Sequence, residues 1–146
     1  MLKALDTRAA AVGFSGYGVV DLTQHNPNNA DWLRECIGAG YHGTMSWMED
    51  TLERRVHPLA MWPEAKSAIV LGYNYGPDND PLATLNQSEK ATISVYARNK
   101  DYHGLMKGKL KELASLLARD SGADVKVFVD TAPLMEKPLA MAGGLG

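Results

Sequence analysis

The sequence predicts an α/β or α+β domain with a small central sheet flanked by helices. Three observations carry that expectation. Ser67 to Asn74 and Val125 to Asp130 are short apolar runs of strand length. Tyr102 to Arg119 repeats leucine at helical spacing, and helical and β-prone stretches alternate along the chain. The 146 residues suit one domain with its own core.

The elements follow in order. Leu2 to Val12 has apolar positions at helical spacing and is closed by Gly13. Tyr17 to Leu22 alternates loosely, as a strand does, and His25-Asn26-Pro27-Asn28-Asn29 is a loop. Asn29 or Asp31 is placed to cap a helix through Trp32, Leu33, Cys36 and Ile37, which ends at Gly38-Ala39-Gly40. A short helix around Met45 to Asp50 precedes an irregular stretch punctuated by Pro58 and Pro63. Ser67 to Asn74 is nearly continuous in apolar residues, the pattern of a strand buried on both faces. Gly76 to Ser88 is loop-like, and Ala91 to Tyr96 is again β-prone. In the long helix Leu105, Leu110, Leu113, Leu116 and Leu117 share a face, and Ser121-Gly122 ends it. Val125 to Asp130 alternates toward a buried face and delivers Asp130 to its C-terminal end. The closing Ala142-Gly143-Gly144-Leu145-Gly146 reads as the start of a glycine loop that continues, so the chain is expected to be incomplete at this end.

Composition excludes several classes. With 45% hydrophobic and 22% charged residues, the chain is far from a disordered one. A net charge of −2 argues against a domain that coats nucleic acid, while leaving room for a local basic patch. One thiol, Cys36, forms no internal disulfide and holds neither a zinc ion nor an iron–sulfur cluster by itself. No apolar run reaches the length of a membrane span, and the N-terminus lacks a secretory h-region, so a cytoplasmic protein is expected. There is no His-Glu-x-x-His, Walker loop or Gly-x-Gly-x-x-Gly. Asp101-Tyr102-His103-Gly104 begins like an Asp-x-His-x-x-Gly signature, but Met106 stands where its glycine belongs. The four histidines lack metal-ligand spacing, and no metal ligand is expected.

Asp130 is the residue of most chemical interest. A carboxyl at the end of a strand, partly withdrawn from water, has a raised pKa and suits a general acid. The alternative is an aspartate that caps the following turn, with Thr131 and Pro133 as turn residues. Asp101, Tyr102 and His103 open the long helix, where Asp101 is an N-cap or the group offers polar contacts to an anionic ligand. Lys100, Lys107, Lys109 and Lys111 make that region locally basic, as a solvated helix face also does. Arg54 and Arg55 can each grip a phosphate or carboxylate with two N–H groups.

Several segments, taken in order, resemble epoxyqueuosine reductases. Trp32-Leu33 and then Gly40-Tyr41-His42-Gly43-Thr44-Met45-Ser46-Trp47-Met48 resemble one family segment. Arg55, Pro58 and Pro63, and Ser67-Ala68-Ile69-Val70 with Asn74-Tyr75 and Pro77, resemble two more. Ile93-Ser94, Tyr96-Ala97, Asp101-Tyr102-His103 and Lys107 form a fourth. Val129-Asp130-Thr131-Ala132-Pro133-Leu134-Met135-Glu136-Lys137, with Leu139-Ala140 and Gly144-Leu145-Gly146, form a fifth. The resemblance runs from about Trp32 to the final residue. Three positions depart from it: Val95 for the usual arginine, Asn99 for glycine, and Glu64 for a glycine after Pro63.

The resemblance implies a nitroreductase-like cobalamin-binding and catalytic domain over residues 1–146, with iron–sulfur and helical-repeat regions beyond it. It implies cobalamin and two [4Fe–4S] clusters as cofactors, and reduction of the epoxide of epoxyqueuosine in tRNA to queuosine. A tRNA substrate, an external electron donor, a monomer and no membrane partner go with it. Asp130 falls at the position of the proton-supplying aspartate, and Arg55 at that of an arginine beside the corrinoid. Tyr96, Asp101, Tyr102 and His103 line the same cavity by resemblance. The cluster ligands are cysteines that this chain lacks, so the chain alone is not expected to turn over. A dehalogenase-like corrinoid reductase and a corrinoid-binding module without catalysis are the other readings.

Overall fold

The computed structural model describes residues 2–25, 30–98 and 100–145. The expected cap at Asn29 and the loop residues Asn26 to Asn29 lie outside them, as does Asn99. The chain divides into two compact units, residues 1–15 with 73–129 and residues 16–72 with 130–146.

The first unit pairs two helices. Helix α1, Leu2–Ala11, closes with Gly13 at φ 93° and presents Leu5 and Ala9, one turn apart, to the interior. The long leucine helix of this unit spans Tyr102–Ser121 and packs on α1. Its Leu113 is 2% exposed. Leu110, Leu116 and Leu117 are half-buried around it, but Leu105 is 55% exposed and does not share the inner face. The Lys109 ammonium donates to the Val12 carbonyl and lies 5.2 Å from the Tyr73 ring, which meets Phe14 edge to face. An ion pair joins Arg8 to Glu112. Gly122, at φ 71°, ends the helix in the left-handed conformation that lacks a Cβ penalty.

Two expected strands of this unit are corrected. Among the described residues Val125 to Asp130 joins no ladder, and its burial does not alternate as a strand's would: Val125 is exposed, Val127 and Phe128 are half-buried, and Val129 is buried. Ala91 to Tyr96 is also no strand. Its end winds into a 3₁₀ turn, Val95–Ala97, leaving Ile93 exposed.

The second unit holds the sheet, which among the described residues has two strands. Strand β1, Gly16–Asp21, runs antiparallel to β2, Ser67–Gly72, in register from Gly16↔Gly72 to Asp21↔Ser67. With one partner strand, β2 is half-buried along its apolar residues rather than enclosed on both faces. Between them come α2 (Ala30–Gly38), α3 (Trp47–Asp50), α4 (Leu52–Val56) and a 3₁₀ turn, Pro58–Ala60. The long helix of the first unit is α5, and α6, Glu136–Ala142, follows it. Helix α6 lies against both strands, and its Leu139 forms a core with Val20 and Leu22, joined by Leu59, Ala65, Ala68 and Val70. A second cluster joins Ala30 and Leu33 of α2 to Val56 of α4. Gly18 allows the closest approach: a Cβ there would stand 2.3 Å from the Gly143 carbonyl oxygen, so only glycine admits the end of α6.

Candidate functional site

Arg55 occupies the last turn of α4, a helix absent from the sequence expectation because its five residues precede Pro58 too closely for a periodic signal. Its Nε donates to Thr51 Oγ1 at 2.9 Å, and Thr51 donates in turn to the Trp47 carbonyl at 2.6 Å. The guanidinium carbon sits 4.7 Å from the centre of the Trp47 ring. One helical turn thus orients the arginine on both sides. Burial lowers its pKa, but a guanidinium remains a cation at neutral pH. Arg55 borders a cavity of about 300 Å³ whose wall also includes Trp32, Leu33, Met48, Met135 and Glu136. A fixed cation beside apolar and aromatic walls suits a large ligand carrying amide or phosphate groups.

Asp130 belongs to the same unit. With no strand before it, the residue is held differently from the expectation. Its backbone is left-handed, φ 51°, a conformation that aspartate tolerates better than most residues. The Asp130 N–H donates to Glu136 Oε1 at 3.2 Å. Asp130 is exposed, and the half-buried carboxyl of the two is that of Glu136. Burial first, then the charge of and a side-chain hydrogen bond with Asp130, raise the Glu136 pKa, against the lowering effect of the Asp130 N–H. Sequence reasoning passed over Glu136 as one letter of a family segment. The signal that marks it is an acid at the first position of a helix, shortly after a Thr-Ala-Pro turn.

Tyr96, Asp101, Tyr102 and His103 fall in the other unit. Asp101 caps α5 as expected: its Oδ1 accepts the His103 N–H at 3.0 Å and contacts His103 Nδ1 at 2.6 Å. These bonds, the backbone one first, hold its pKa below the usual carboxylate value. Tyr102 stacks on the His103 ring with centroids 4.4 Å apart. Tyr96 lies in the 3₁₀ turn and is 58% exposed. Val95, one of the departures from the family pattern, opens that turn, and Glu64 is exposed.

A family profile described as "Epoxyqueuosine reductase QueG, DUF1730" matches residues 55–131, more than half of the chain. The chain belongs to the epoxyqueuosine reductase family. All six residues singled out, from Arg55 to Asp130, fall inside the matched stretch. The epoxyqueuosine reductase of Vibrio cholerae is 37% identical over 94% of this chain and 37% of its own length. That of Xanthomonas campestris is 34% identical over 96% and 40%, and that of Cyclobacterium marinum 35% over 94% and 44%. The chain therefore spans well under half the length of these relatives. In fold it is similar to the solved epoxyqueuosine reductase of Streptococcus thermophilus, with a TM-score of 0.75 over 100% of this chain and 39% of that one, at 23% identity. Among the described residues, no helix is long and apolar enough to cross a membrane.

Proposed function

We propose that this chain forms the nitroreductase-like, cobalamin-binding part of an enzyme that reduces the epoxide of epoxyqueuosine in tRNA to give queuosine. The observation that carries the reading is the family match across residues 55–131, which takes in both Arg55 and Asp130. The chemistry of the residues agrees with it. Opening an epoxide leaves an alkoxide, and a carboxylic acid beside that oxygen lowers the barrier by donating its proton as the charge develops. Asp130 has this role, and its carboxylate is afterwards reprotonated from solvent. Arg55, on an apolar and aromatic wall, fits the amide and phosphate periphery of a corrinoid. Tyr96, Asp101, Tyr102 and His103 are further cofactor contacts that the family resemblance implies. Cobalamin, when bound, supplies the reducing chemistry at the epoxide. With one cysteine, the 146 residues cannot furnish the thiolates of a [4Fe–4S] cluster, so the clusters of this reading draw on residues outside this sequence. The substrate is a modified tRNA of a cytoplasmic pathway, reduced by an external donor.

Titrating the chain with cobalamin, followed by absorbance, tests the cofactor assignment. Saturable binding is expected, weakened about tenfold or more in Arg55→Ala, since a charge-assisted hydrogen bond contributes about 1.5–3 kcal/mol. In a protein extended to the length of its relatives, Asp130→Asn is expected to lower turnover about 10²–10⁴-fold. Absence of cobalamin binding by that extended protein, with folding verified by circular dichroism, overturns the reading.

A further inference from the structure

We propose that Glu136 is a positioning residue for Asp130, its carboxyl fixing the aspartate's backbone. The proposal rests on the reading of Asp130 as the proton donor and extends it to a residue outside the family-matched stretch. Three observations lead to it. Asp130 is the described non-glycine residue with a positive φ, at 51°, and no strand or helix holds it there. Its N–H instead donates to Glu136 Oε1 at 3.2 Å, across a six-residue turn that contains Pro133. Glu136 is itself anchored, since it opens α6, whose Leu139 is buried against Val20 and Leu22 of the sheet unit. The carboxylate is therefore a bracket between a fixed helix and the left-handed aspartate.

Burial, and after it the charge of Asp130, keeps Glu136 protonated to a higher pH than an ordinary glutamate. Arg55 and Lys137 border the same cavity as Glu136. Glu136 accepts the Asp130 amide through Oε1. The aspartate is thus held through its backbone N–H, and the side-chain oxygen that accepts it persists when glutamate is replaced by glutamine.

Nuclear magnetic resonance of the 146-residue chain reads this directly through the Asp130 amide. In the wild type its shift is expected to titrate with the Glu136 carboxyl, at a midpoint above the ordinary glutamate value. In Glu136→Gln the titration is expected to vanish while the amide keeps its protection from exchange and its positive-φ coupling constant. In Glu136→Ala all three are expected to be lost, with the resonances of β1 and β2 unchanged. Rescue by glutamine but not alanine separates positioning from mere packing. An Asp130 amide that ignores the Glu136 titration in the wild type, or keeps its protection in Glu136→Ala, overturns the proposal. Failure of the underlying reading looks different: Asp130→Asn in the extended enzyme would keep full turnover while the Glu136 signature in the wild type stands.

Discussion

Asp101 sets one carboxylate oxygen against both the backbone N–H and the ring of His103. The hydrogen bonds favour the ionised form, so the folded-state pKa lies below the unfolded one. A depressed carboxylate pKa adds stability above the unfolded value and loses it as pH falls through the folded value. Asp101→Ala is accordingly expected to lower Tm near neutral pH, with the difference from wild type closing on acidification below about pH 4, where the unfolded carboxyl is protonated. Thermal melts across that range check it. This cap was legible in the sequence because a helix start follows local rules: an acid two residues before an amide it can reach. The left-handed Asp130 was not legible. Its conformation depends on Glu136, six residues on and anchored by packing that no local pattern records.

Helices and strands divide along the same line. The periodicity of α5 carries its own evidence, and the structure extends it from Tyr102 to Ser121. Its inner face is narrower than the leucine spacing alone indicates: Leu113 is 2% exposed and Leu105 55%. Urea denaturation is expected to show Leu113→Ala losing about 2–5 kcal/mol and Leu105→Ala far less, because a cavity arises only where atoms are removed from a packed interior. Strands are harder to read. Val125 to Val129 has the alternation of a strand, as β1 does, but a strand exists only where a second backbone completes its hydrogen bonds. Gly16 to Asp21 finds that partner 46 to 56 residues along the chain, in β2, and nothing in either segment names the other. The short helix α4, which places Arg55, escaped notice because five residues cannot display a period.

At the scale of the molecule, each unit is assembled from two separated stretches of sequence. Residues 130–146 close the sheet unit, since α6 supplies Leu139 to the cluster of Val20 and Leu22 and fits its last turn against Gly18. A chain ending at residue 129 is expected to lose the dispersed resonances of β1 and β2, which a heteronuclear correlation spectrum would show at once. The same interleaving governs synthesis. Helix α1 is ten residues long, too short to persist alone in water. Its partner on α5 comes far later: the Lys109–Val12 contact joins residues 97 positions apart. At translation rates of about 5–20 residues per second, α1 emerges about 5–20 s before the surface it packs on. Throughout that interval Leu5 and Ala9 lack their covering, and α1 is a segment a chaperone would find open.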